Sequence, residues 1–176
     1  MPPFATLPEF DPEPILAALN EHAVRYVVVG AIAAIAQGYP LNTGDLDLTP
    51  SRDPDNLERL ASVLHELDAR LRTPSNPEGV EFPIEAKYLG SVDSWTLTTR
   101  HGSLDLLFRP SGTQGYEDLR RDSIVIDLAG KETRMAALVD IIRMKEAAGR
   151  PKDLAQLPAL HQTLEIVRER ERRAQS

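Results

Sequence analysis

Tyr26-Val27-Val28-Val29-Gly30-Ala31, followed by Thr43-Gly44-Asp45-Leu46-Asp47-Leu48, constrains this chain more than any other stretch. An apolar β-branched run that stops at a glycine predicts a buried strand ending in a tight turn that presents backbone amides. The Ala-rich segment from Ala31 to Gln37 predicts a short helix closed by Gly38. In a following strand, Leu46 and Leu48 alternate with Asp45 and Asp47, so both carboxylates leave one face. Two like charges on one face are costly unless a cation lies between them. The pattern therefore points to a divalent-metal clamp facing a phosphate-holding turn.

A third carboxylate is needed. Asp105 is the best candidate, because Ser103-Leu104-Asp105-Leu106-Leu107-Phe108 puts it opposite the residues that should fill the core. Asp127, in Ile126-Asp127-Leu128, has the same local character, and Asp93 lies in a Ser-rich turn. Cations come from the C-terminal part. Lys145 ends an apolar helix and can lean over a triphosphate, while Arg150 and Lys152 crowd around the break at Gly149-Arg150-Pro151. Asp153 at the next helix start stabilises that terminus or anchors Lys145 or Arg150.

Charge sets limits on partners. The net charge is −7, yet residues 131–176 hold ten Lys and Arg against seven Asp and Glu. Overall acidity argues against non-specific duplex binding, and a local basic face near the C-terminus stays open. The four histidines are scattered, which disfavours zinc, and the absence of cysteine excludes disulfides. No apolar run has transmembrane length and no signal-like segment opens the chain, so the expected location is cytoplasmic, without membrane contact.

Along the chain, the proline-rich residues 1–14 read as an extended arm, followed by a helix over Ile15–His22 and a strand over Val24–Val29. Asp53 caps a helix begun by Pro54, with Leu57, Leu60, Leu64, Leu67 and Leu71 as one stripe. Thr73 to Gly79 reads as a turn-rich connection, and Pro83 reduces residues 81–87 to an edge strand or arm. Residues 94–100 and 103–108 form a hairpin, with Trp95 a core residue rather than a base platform. A short helix is expected over Gly112–Leu119 and a strand over Ile124–Leu128. Met135–Ala148 is read as helix, and Lys152–Arg173 as one helix or two broken at Pro158. The expectation is an α/β (α+β) fold, a small mixed sheet flanked by helices, with residues 1–130 as its core and 131–176 as a helical extension closing the site.

A strand ending in Gly30-Ala31, then Asp45-Leu46-Asp47, then Asp105, resembles the nucleotidyltransferase superfamily that includes DNA polymerase beta. Ala147-Ala148-Gly149-Arg150-Pro151-Lys152-Asp153-Leu154 and Leu157-Pro158-Ala159-Leu160 are similar to the C-terminal motif of its AbiEii-like type IV toxins, including the mycobacterial MenT toxins. The resemblance implies the nucleotidyltransferase fold and a nucleoside triphosphate bound with magnesium, in a two-ion site. Asp45, Asp47 and Asp105 would be the metal ligands, and Asp105 would also activate the acceptor hydroxyl. Gly30, Ala31, Lys145, Arg150, Lys152 and Asp153 would hold or support the nucleotide. It further implies the 3′ end of tRNA as acceptor and a cognate antitoxin as partner. The competing expectations are transfer to an antibiotic or a protein hydroxyl, and a non-catalytic partner protein of the same fold.

Overall fold

The computed structural model describes residues 7–128 and 130–176. Its centre is an eight-stranded mixed sheet. The strands are β1 (Tyr26–Val29), β2 (Asp45–Pro50), β3 (Arg70–Thr73), β4 (Asn76–Val80), β5 (Ser94–Thr99), β6 (Gly102–Leu107), β7 (Ile124–Leu128) and β8 (Lys131–Met135). They lie in the order β4-β3-β5-β6-β2-β1-β8-β7. The helices are α1 (Pro12–Glu21), α2 (Gly30–Ala36), α3 (Pro54–Glu66), α4 (Ala86–Leu89), α5 (Tyr116–Asp122), α6 (Leu138–Ala148) and α7 (Pro151–Ala174).

Alternation decides the layers. Leu46, Leu48, Leu104 and Leu106 are fully buried, while their strand neighbours Asp45, Asp47, Ser103, Asp105 and Leu107 keep access to solvent. Burying one such leucine contributes roughly 1.5–3 kcal/mol, so a one-residue slip that exchanged the faces would be prohibitive. β2 is antiparallel to β1 and parallel to β6, and β5 and β6 form the expected hairpin.

Several local expectations are corrected. The helix expected from Ile15 begins at Pro12, because Asp11 accepts from the Glu13 amide (3.1 Å) and proline suits the first helical position. The rest of the expected arm lies partly outside the described residues. Asp53 precedes α3 but makes no capping hydrogen bond; its carboxylate meets Arg25 at 2.8 Å. Leu71 continues the spacing of the α3 stripe but not the helix, since Asp68 at φ 51° turns the chain into β3. The stretch expected as a turn-rich connection holds β4, paired with β3. The α5 helix starts at Tyr116 rather than Gly112, because Gly112 (φ 74°) and Gly115 (φ 91°) hold a non-helical loop. Met135 ends a strand instead of opening a helix. β8 joins β1 in parallel through Val28 and Met135, so the sheet continues past residue 130.

The last helix, α7, is unbroken. Pro158 sits on its exposed side, and Leu160 is buried with Leu157, Leu164 and Val167 packed around it. Trp95 is 7% exposed, donates Nε1 to the Leu89 carbonyl (3.0 Å) and stacks on Phe82, so it belongs to the core. Among the described residues, no helix is long and apolar enough to cross a membrane.

Candidate active site

Parallel pairing of β2 with β6 sets Asp45 beside Ser103 and Asp47 beside Asp105. Residues paired in adjacent strands share a face, so Asp45, Asp47 and Asp105 stand together on the side opposite the leucine core. Asp127 does not join them. It lies on β7 at the far edge of the sheet and accepts the Gly130 amide at 2.7 Å. Asp93 is held by Arg52.

Gly30 completes this corner. It follows β1 at φ 66°, and a Cβ there would lie 2.2 Å from Asp47 Oδ2. Both the backbone angle and the space demand glycine. Ala31 lies in the first turn of α2, whose leading amides have no partner inside the helix and no side-chain cap.

The cationic side is built at the junction of α6 and α7. Gly149 ends α6 in the left-handed conformation (φ 64°), and Arg150 then caps α7 ahead of Pro151. Asp153, 3% exposed, accepts from Arg150 at 2.6 and 3.2 Å and meets Lys145 Nζ at 3.5 Å. It anchors both cations and is more than a charge at a helix start. Hydrogen bonding from Arg150, followed by the charges of Arg150 and Lys145, keeps its carboxyl below the ordinary range despite burial. Lys152 is exposed and acts on the site through its charge.

Sheet and helices enclose a cleft of about 490 Å³. Val29, Gly30 and Asp47 line one side, Met144, Lys145, Arg150 and Asp153 another, and Arg109 with Ser111 a third. Its electrostatics are unbalanced at the sheet. Burial, then the charges of Asp105 and Asp45, push the Asp47 carboxyl up to about 7, with Lys145 and Lys152 opposing. Burial also raises Asp105, against the pull of Arg72, whose Nη2 lies 3.3 Å from Asp105 Oδ1. With Asp47 pushed toward neutrality, this face is short of positive charge.

Among the described residues, no three acidic or histidine side chains are gathered as a finished metal cage. The all-oxygen donor set and the raised Asp47 nevertheless fit a hard divalent cation. Asp105 would join such a set by giving up Arg72. Sequence reasoning did not find Arg72, Arg109 or Ser111. The alternation of Arg70, Leu71, Arg72 and Thr73 was a usable strand signal, and Arg109 lies only four residues beyond Asp105.

The mixed sheet carrying paired aspartates beside a glycine turn, closed by C-terminal helices, matches the architecture of solved nucleotidyltransferase structures. The chain is similar to the antibiotic-resistance factor ANT(2'')-Ia in solution, at 16% identity and TM-score 0.52, over 91% of this chain and 88% of that one. It is similar to the crystal structure of ANT(2'')-Ia in complex with adenylyl-2''-tobramycin, at 16% identity and TM-score 0.50, over 92% and 95%. A candidate nucleotidyltransferase from Thermotoga maritima matches at 17% identity and TM-score 0.52, over 82% and 86%. No protein-family model and no curated protein matches the sequence.

Proposed function

We propose that this chain is a metal-dependent nucleotidyltransferase that moves a nucleoside monophosphate from a triphosphate to a hydroxyl of a small molecule. The observation that carries the reading is an acidic sheet face, Asp45, Asp47 and Asp105, whose Asp47 lines one cleft together with a cationic helix junction, Lys145 and Arg150. The first amides of α2 and the two cations would hold the phosphates. Lys145, tied to Asp153, is a point charge suited to the leaving pyrophosphate. Asp105 would take the acceptor proton at its carboxylate as the acceptor oxygen bonds to the α-phosphorus and the bond to the β-phosphate breaks. Magnesium, held by the three aspartates as one ion or two, would supply charge compensation for the phosphates and the attacking oxygen.

The acceptor is where readings divide. A small molecule is favoured by the state of the arginine-rich end of α7. Arg168 meets Glu165 at 3.1 Å, Arg173 pairs with Glu169, and Arg172 donates Nε to the Arg168 carbonyl. Two of the arginines there, Arg168 and Arg173, are thus paired within the helix. The ANT(2'')-Ia structure, with its adenylylated tobramycin, gives a precedent on this fold. The second reading is an AbiEii-like toxin, cytoplasmic and controlled by an antitoxin, that modifies the 3′ end of tRNA. It is favoured by the net basic character of residues 131–176 and by the toxin-like motif coinciding with the α6–α7 junction at the cleft.

Incubation with each labelled triphosphate and magnesium, against pooled aminoglycosides in one series and total bacterial RNA in another, separates them. The expected result is label on a small molecule, abolished by Asp47→Ala. Label on RNA alone would establish the toxin reading instead. Label on neither, with no pyrophosphate released, would leave a non-catalytic protein of this fold.

A further inference from the structure

We propose that Arg109 is an additional substrate-anchoring cation of the cleft, reaching the triphosphate from the β6 side, and that the Asp118–Arg143–Asp140 network positions it. The inference rests on the nucleotidyltransferase reading, which places a polyanion in this cleft. Arg109 lies two residues beyond the end of β6, is exposed, and lines the 490 Å³ cleft together with Lys145 and Arg150.

Its charge is left free by construction. Arg109 donates Nη2 to Gln114 Oε1 at 2.9 Å, a neutral partner, and among the described residues it makes no ion pair. Asp93 lines the same cleft, yet its carboxylate is held by Arg52, whose guanidinium lies over the Phe108 ring. Lys145 and Arg150 differ, since both share Asp153. A guanidinium with spare donors presents the fork geometry that suits phosphate oxygens.

The loop carrying Arg109 is also more tightly specified than an idle surface turn needs. Thr113 is buried; its Oγ1 donates to the Pro110 carbonyl (2.9 Å) and accepts the Gly115 amide (3.2 Å). Asp118 accepts the Gln114 amide at 2.9 Å and Arg143 at 3.1 Å, and Arg143 also reaches Asp140 at 2.9 Å. Gly112 packs so closely on α6 that a Cβ would lie 2.7 Å from the Ala147 Cβ. The α6 helix thus supports the loop through Arg143 and Ala147 and places Lys145 in the cleft between them. The loop carrying Arg109 and the side chain of Lys145 are therefore both placed by α6.

Binding is measured by equilibrium dialysis of the full chain with magnesium and the non-hydrolysable α,β-methylene analogue of each nucleoside triphosphate. Arg109→Ala should melt like the wild type, because the side chain is exposed, and should bind the analogue about tenfold or more weakly, the loss expected for one charge-assisted contact. Arg109→Lys should recover part of the affinity, and Gln114→Ala, which only frees the guanidinium, should lose less than Arg109→Ala. Asp118→Asn should weaken binding together with a lower melting temperature, as a positioning residue would. In turnover, the Arg109→Ala effect should fall on KM more than on kcat. Unchanged affinity in Arg109→Ala beside a wild type that binds would overturn the proposal. A wild type that binds none of the analogues would remove the nucleotidyltransferase reading, and this inference with it.

Discussion

The carboxylate of Asp47 occupies the place where a side chain at residue 30 would begin: a Cβ built on Gly30 falls 2.2 Å from Asp47 Oδ2. Gly30→Ala should therefore do two separable things. It should destabilise the fold by about 1–3 kcal/mol through the positive φ and the overlap, and it should push Asp47 out of its pocket. Urea denaturation gives the first quantity and Mn2+ affinity the second. A variant with wild-type values of both would show that the corner adapts freely.

Asp47 also sets a pH signature. Its carboxyl stands near 7 in the folded chain against 3.8 in the unfolded one, mainly through burial. Between those values the unfolded chain has lost the proton that the folded chain keeps, so metal-free stability should fall as pH rises from about 4 to about 7, and level off above. Asp47→Asn should flatten that slope and raise the metal-free melting temperature at pH 8 by roughly 5 °C. Thermal melts of both proteins in chelator across this range test it; parallel curves would count against the assignment.

Arg72 competes with any cation for Asp105. Arg72→Met should tighten Mn2+ binding several-fold, because a positive charge leaves the metal face and Asp105 is released. The same change should lower the metal-free melting temperature, since Asp105 then loses the charge that offsets its burial. Weaker Mn2+ binding would instead mark Arg72 as a support for the ligand geometry.

Asp153 is sensitive to substitution because it is buried and serves two cations. Asp153→Asn should cost about 2 kcal/mol, reduced from the figure for fully buried pairs because Arg150 is largely exposed. The wild-type contribution comes from a lowered carboxyl, so it is present above the unfolded value of 3.8 and disappears as pH falls through the folded one. Denaturation of both proteins at pH 7 and pH 3 should give a gap that closes in acid.

What could be read from the residues was whatever obeys a short period. Asp45, Asp47 and Asp105 announce their face by alternating with leucines, and Gly30 announces a turn by ending a β-branched run. What could not be read depends on the order of strands. Arg72 meets Asp105 only because β5 lies between β3 and β6, an arrangement no local pattern encodes. Leu71 matched the helical stripe of α3 by spacing alone, while the chain reverses at Asp68 without a glycine to mark it. Met135 looked like the first residue of an apolar helix because Lys131, Glu132 and Arg134 give β8 a polar, unstrand-like composition.

The strand order has a consequence for synthesis. Residues 26–107 contain β1, β2 and β6, so a growing chain can assemble the acidic face by itself. Its counterweights, Lys145 and Arg150, emerge only afterwards with α6 and α7. Until those helices dock, the acidic face has the first turn of α2 beside it but not the Lys145 and Arg150 charges. The two signs of charge that meet in the cleft are therefore laid down at different times, the negative one first.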